Sequence, residues 1–183
     1  MPKGRNCAGY SMIEILAALM VLVLAQILVV PAFGAMVSTM RLNSSAEAIY
    51  TSLLLARSEA VKRNARVIIC KSGSGSACAP AAEWHQGWII FHDANSNGAR
   101  DDEEPILYQE APLPKQLRLT GNGPVRDYVS YTAVGRTSLV SGAFQAGTFT
   151  VCELSGKQTD ARQVVINSSG RPRQAKTTVE YCQ

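Results

Sequence analysis

The stretch DANSNGARDDEE, residues 93–104, holds six oxygen-bearing positions at the spacing of a calcium loop. Asp93, Asn95, Asn97, Gly98 and Glu104 match the pattern D-x-[DN]-x-[DN]-G-x5-E, with Asp101 at the ninth position and the Ala99 carbonyl at the seventh. Oxygen donors so spaced suit a hard cation, so calcium is the one cofactor the sequence suggests. The flanking GWIIFH and ILYQ have strand character, not that of the two helices of an EF-hand. An acidic hairpin turn with Asn97-Gly98 supplying its positive backbone angles fits the same residues. A second group is GRPR, residues 170–173. Pro172 cannot sit in a helix interior and biases Arg171 toward an extended conformation. Arg171 and Arg173 then project to one side about 6.6 Å apart, a separation that lets two guanidinium groups engage neighbouring phosphates of one strand. Gly170 permits the turn that presents them, and Lys176 or Arg162 extends the track. Catalysis has little support: His85 and His92 are the only histidines, and no nucleophile elbow, HExxH or phosphate-binding loop accompanies them. The chain is expected not to be an enzyme.

The elements that position these residues follow from periodicity. Residues 15–37 carry no charge, which exceeds the about 20 residues an α-helix needs to cross a hydrocarbon core. Thirteen of them are Leu, Ile, Val or Phe, worth roughly −4 to −8 kcal/mol for insertion. A membrane helix over 10–37 is expected. Lys3 and Arg5 precede it with no acid, so its start is cytoplasmic and the rest lies outside. Beyond it, Leu42, Ala46, Ile49, Leu53, Ala56 and Ala60 recur at steps of three and four among charged residues, so the helix continues over 38–64 and becomes amphipathic. From residue 65 to 183 the pattern turns to short β-rich runs, RVIICK, GWIIFH, ILYQ, LRLT, YVSYTA, TFTVCE, RQVVIN and TTVEYC, separated by Gly, Pro, Asn and Asp. So many strands favour two small sheets over one. The net charge of +4 says little about partners, but its distribution says more. Residues 57–71 are basic, 93–104 acidic, and 162–176 hold four basic residues and no acid, as distinct surface patches.

The N-terminal string Gly9-Tyr10-Ser11-Met12-Ile13-Glu14 follows a basic leader and opens the apolar run. It resembles the class III signal of type IV pilins and type II secretion pseudopilins. LLLARSEAVKRN, QGWIIFHDANSNG and the late SSGRPR, in that order, extend the resemblance to the GspH/FimT subfamily of minor pilins and pseudopilins. The implied fold is α+β and type IV pilin-like: a long N-terminal α-helix, transmembrane then amphipathic, packed on an all-β head of two small sheets. The resemblance implies that residues 1–9 are a leader cut off after Gly9 by a prepilin peptidase, with N-methylation of the new terminus at Tyr10. Pro31 falls at the usual helix-kinking proline. An ionised group inside a bilayer is costly unless paired, and the resemblance supplies Glu14 with a partner, the freed α-amino group of a neighbouring subunit. The implied protein sits in the bacterial inner membrane with an extracytoplasmic head and assembles with other pilins into a pilus or periplasmic pseudopilus. Its function is that of a type IV pilus minor pilin taking part in assembly or a tip complex, with sequence-independent DNA capture for natural transformation through the basic C-terminal segment. The alternative is a GspH-type pseudopilin of a type II secretion system.

Cys7 leaves with the leader, so Cys70, Cys78, Cys152 and Cys182 remain in an oxidising compartment. Four cysteines allow three pairings. Cys70–Cys78 across KSGSGSA and Cys152–Cys182 at the last strand are favoured; zinc is the alternative, weakened by the absence of any CxxC pair.

Overall fold

The computed structural model describes residues 10–155 and 158–182. The chain divides into two units with the boundary between Thr39 and Met40. One helix, α1, runs from Met12 to Arg63. Eight strands follow: β1 Arg66–Lys71, β2 Trp88–Asp93, β3 Ile106–Glu110, β4 Leu117–Gly121, β5 Tyr128–Tyr131, β6 Gly147–Glu153, β7 Thr159–Ile166 and β8 Pro172–Val179. They form two four-stranded antiparallel sheets, ordered β3-β2-β1-β5 and β4-β6-β7-β8. The α+β fold of a long helix with two small sheets is the one expected.

In the first unit Ile15, Leu16, Leu19, Met20, Val23 and Leu24 are all more than half exposed. Among the described residues no helix is long and apolar enough to cross a membrane, and part of the crossing expected over 10–37 lies outside them. The side chains of 27–32 lie outside that set. The remainder of the expected crossing falls into two pieces, each shorter than the about 20 residues required.

In the second unit the helix is held by its stripe. Leu42, Ala46, Ile49, Leu53, Ala56 and Ala60 are all at most 3% exposed. They share one core with alternate residues of both sheets, among them Val67, Ile69, Trp88, Ile90 and Val129 from one, and Leu117, Leu119, Phe149, Val151, Val164 and Ile166 from the other. A fully buried Leu or Ile contributes about 1.5–3 kcal/mol, so this stripe and not intrinsic propensity fixes the second half of α1 in place. Trp88 Nε1 donates to Ser52 Oγ at 3.0 Å and ties β2 to the helix. Trp84 stands edge-on to Phe149 with ring centroids 4.9 Å apart. The helix stops at Asn64, whose φ of 50° is left-handed. There the Ala65 amide donates to Ala60 O and the Asn64 amide to Val61 O, each at 3.2 Å, a Schellman closure of the last turn.

Ile68, Cys70, Ile89 and Phe91, on the opposite face of β1 and β2, form a second small cluster with Cys78, Ile106 and Tyr128. The Cys70–Cys78 disulfide brings Cys78 to it. The second disulfide joins Cys152 on β6 to Cys182, beyond the end of β8. Both favoured pairings are present, and with all four sulfurs so used the zinc reading is set aside. The last strand departs from expectation. It occupies 172–179, not the TTVEYC run at 177–182, because the Asn167–Gly170 turn returns the chain early and puts Pro172 opposite Ile166.

Candidate functional site

The three groups of chemistry-bearing residues lie on different elements. At the start of α1, Ser11, Met12, Ile13 and Glu14 occupy the N-cap and first three helical positions. The Ser11 amide donates to Glu14 Oε2 at 3.1 Å, and the amides of Glu14 and Ile15 donate to Ser11 O at 3.0 and 3.3 Å. This is the glutamate half of a capping box, written in the sequence as S-x-x-E. A carboxylate there also answers the positive end of the helix dipole. Glu14 therefore has a local structural role that its intramembrane reading did not include. Tyr10 is 84% exposed. Gly9 lies outside the described residues; Pro31 falls within α1 with its side chain outside them.

The acidic loop follows β2. Asp93 is fully buried, and its two carboxylate oxygens accept the amides of Asn97 and Gly98, both at 3.1 Å. Glu104, 6% exposed, accepts the amides of Ala94 at 2.8 Å and Asp101 at 3.1 Å. Asp101 Oδ2 accepts the side-chain amides of Asn95 and Asn97 at 2.8 and 2.9 Å, and the Ala99 amide donates to Asn97 Oδ1 at 2.7 Å. Burial, with Glu104's charge adding to it, pushes the Asp93 carboxyl above its ordinary range. The oxygens placed by sequence as calcium ligands thus close the loop on its own amides. Among the described residues no group of three or more His, Cys, Asp or Glu side chains could hold a metal ion. The positive angles belong to Ser96 (φ 59°) and Gly98 (φ 83°), not to the Asn97-Gly98 pair expected. Asn97 is instead held by its amide bonds to Asp93 and Asn95.

The basic segment is built on the turn between β7 and β8. Asn167 organises it. The Gly170 amide donates to Asn167 O at 2.9 Å, and Ser169 Oγ and the Arg171 amide donate to Asn167 Oδ1 at 2.6 and 3.3 Å. Gly170 has φ 74°, and a Cβ there would lie 2.2 Å from Gly135 O, so only glycine fits. Gly135 O in turn accepts Arg57 Nε from α1 at 3.0 Å. Pro172 is buried at the first position of an edge strand, where its missing amide costs no ladder bond. Arg171 and Arg173 are exposed on either side of it.

Arg162 and Lys176 do not extend that track. Lys176 is three residues from Arg173, and successive strand residues alternate faces, so the two point to opposite sides of the sheet. Arg162 pairs directly with Lys176 across the ladder and shares its side. There Arg162 Nε donates to Asn43 Oδ1 at 2.8 Å, while Gln174 Nε2 donates to Glu47 Oε2 at 2.6 Å, both on α1. Asn43 and Glu47 were not singled out from sequence. Their spacing of four on the helix is visible there, but their sheet partners, more than a hundred residues away, are not. His85, in a short turn of 3-10 helix, faces Arg118 at 2.9 Å, and burial, then that cation, push its imidazole below the ordinary value.

The sequence profile described as type II transport protein GspH matches residues 45–170. No curated protein sequence matches the chain. Among solved structures, the type IV minor pilin FimU of Pseudomonas aeruginosa is 21% identical in one crystal form, covers 78% of this chain and 95% of that one, and superposes with a TM-score of 0.55. A second crystal form of FimU gives 23% identity, 78% and 100% coverage and the same TM-score. The minor pseudopilin EpsH of the Vibrio cholerae type 2 secretion system is 14% identical over 74% of this chain and 96% of that one, with a TM-score of 0.48. The profile spans the last part of α1, strands β1 to β7 and the Asn167–Gly170 turn, well over half of the chain, and on that match this chain, with its pilin-like fold, belongs to the GspH family.

Proposed function

We propose that the chain is a minor pilin of a type IV pilus, anchored in the bacterial inner membrane by the helix over residues 10–37 and processed after Gly9, whose head binds DNA without sequence preference. The observation that carries the DNA reading is the presentation of Arg171 and Arg173. A glycine-locked turn and a buried proline between them hold both side chains outward at the start of an edge strand. Arginine pairs so held suit phosphate oxygens, which position a duplex without reading its bases. Similarity of fold to the type IV minor pilin FimU supports the pilus over a secretion apparatus. The second reading, a pseudopilin of a type II secretion system, draws on the family's own description as a type II transport protein. It expects no affinity for DNA.

The two are separated by polarisation titration of random-sequence duplex with the detergent-solubilised full chain. Arg171→Gln with Arg173→Gln is expected to abolish binding at moderate salt and reduce the slope of log K against log salt by about 1.8, or 0.9 for each phosphate no longer neutralised. Arg162→Gln with Lys176→Gln, on the other face of the sheet, is expected to change it much less. Undiminished binding in the Arg171/Arg173 variant overturns the assignment.

A further inference from the structure

Gly170, which opens the basic segment, is pressed against a second loop. A Cβ there would meet Gly135 O at 2.2 Å, and Gly135 closes the turn that leaves β5, its amide donating to Thr132 O at 2.8 Å. Two residues on, Thr137 Oγ1 shares its proton between Gln145 O at 2.6 Å and Asn167 O at 3.1 Å. From α1, Arg57 Nε donates to the same Gly135 carbonyl at 3.0 Å. The β5–β6 loop and the β7–β8 turn are therefore fixed to one another by contacts that involve backbone at every point.

Between Gly135 and Thr137 stands Arg136. Thr137 is 2% exposed and bridges to Tyr131, so alternation turns the Arg136 side chain outward, and it is exposed. It has no hydrogen-bond or ion-pair partner among the described residues. Neither 132–136 nor 167–173 contains an acid. Acids on the neighbouring elements are already engaged. Glu59 on α1 is taken by Arg63 at 2.7 Å and Lys62 at 3.5 Å, and Asp93, at the Tyr131 end of the other sheet, is fully buried and accepts the amides of Asn97 and Gly98. With about 3.8 Å between successive Cα atoms and Gly170 against Gly135 O, the Cα atoms of Arg136 and Arg171 lie no more than about 10 Å apart. That separation spans only a few phosphates of a duplex, whose strands each carry one per about 3.4 Å of axis.

We infer that Arg136 is a third phosphate-binding residue and that the nucleic-acid surface spans both loops. The inference rests on the DNA reading above and adds an orientation to it. Arg171 and Arg173, two residues apart at the start of β8, define a line, about which a bound duplex is free to turn. Arg136, on a separate loop, makes the line a triangle and fixes the duplex on the head.

Polarisation titration of random-sequence duplex with the detergent-solubilised full chain tests this. Arg136→Gln is expected to lower the slope of log K against log salt by about 0.9 and, by the same relation, the affinity about eightfold at about 0.1 M salt. Arg136→Lys keeps the charge and is expected to keep the slope. Lys115→Gln removes the same charge at the far end of the β4-β6-β7-β8 sheet, where Leu117 pairs with Glu153, and is expected to leave the slope as it is. Thermal unfolding of Arg136→Gln is expected at the wild-type temperature, since its side chain has no partner among the described residues to lose. A wild-type slope in Arg136→Gln, with binding still dependent on Arg171 and Arg173, overturns Arg136 as a contact and leaves the DNA reading in place. Equal losses in Arg136→Gln and Lys115→Gln overturn it as well, as an effect of net charge alone. Absence of binding by the wild type overturns both.

Discussion

Gly170→Ala is the substitution whose cost the structure defines most closely. Two contributions add. Alanine at φ 74° carries the left-handed penalty of about 1–2 kcal/mol. Its Cβ would also stand 2.2 Å from Gly135 O and 3.0 Å from Tyr131 Cε1, and the closer atom is backbone that cannot swing aside. Moving the Gly135 carbonyl loosens its bond from Arg57 Nε, worth about 1.5–3 kcal/mol for a charged donor. The total is roughly 2.5–5 kcal/mol. At about 2–4 °C per kcal/mol for a chain of this size, the melting temperature is expected to fall by about 5–20 °C. Gly142 is the control: its φ of 89° is left-handed too, but a Cβ there meets nothing within 4 Å, so Gly142→Ala is expected to cost only the conformational part. The assay is thermal unfolding followed by fluorescence of the buried Trp84 and Trp88. Equal shifts for Gly142→Ala and Gly170→Ala would refute the backbone contact as the reason glycine stands at 170.

Further outcomes follow from other contacts. Removing the Cys152–Cys182 bridge by double serine substitution is expected to cost about 3.7 kcal/mol in the chain-entropy treatment, against about 2.6 for Cys70–Cys78, as read by denaturant titration. Asp127 is held below its ordinary value of 3.8 first by its hydrogen bond from Lys71, 2.9 Å away, so this contribution is full above pH 3.8 and lost as pH falls through the lowered value. Asp127→Asn is expected to flatten that part of the acid unfolding profile, and an unchanged profile would count against the pair. If Asp93, Asn95, Asn97 and Glu104 hold calcium, millimolar calcium is expected to raise the melting temperature and Glu104→Gln to abolish the rise; no shift would leave the loop closed by its own amide bonds.

The larger architecture was legible because periodicity carries it. The stripe from Leu42 to Ala60 could face only a core, and the eight β-rich runs, broken by turn residues, gave two sheets. Cysteine placement gave both disulfides. The errors arose where long-range pairing decides. Whether Lys176 shares a face with Arg173 is settled by simple alternation, once β8 is known to begin at Pro172; the sequence run TTVEYC placed that strand too late. In the acidic loop the acids and asparagines that match a calcium pattern also accept turn amides, and composition does not distinguish the two uses. Asn43, Glu47 and Gly135 were silent because their partners, Arg162, Gln174 and Gly170, lie far along the chain. Glu14 was seen, but as a membrane charge, and its hydrogen bond to Ser11 adds a local reason for its position.

The most direct test of the account's central claim, that this chain works as a filament subunit entered through its N-terminal helix, is its recovery in sheared surface filaments. The wild type is expected in the sheared fraction in processed form. Gly9→Val is expected to remain uncut and membrane-held, whereas Glu14→Ala is expected to be cut yet largely missing from filaments. Glu14→Ala in filaments at the wild-type level would contradict the pairing that the account assigns to Glu14, and absence of the wild type from pili would contradict its place there.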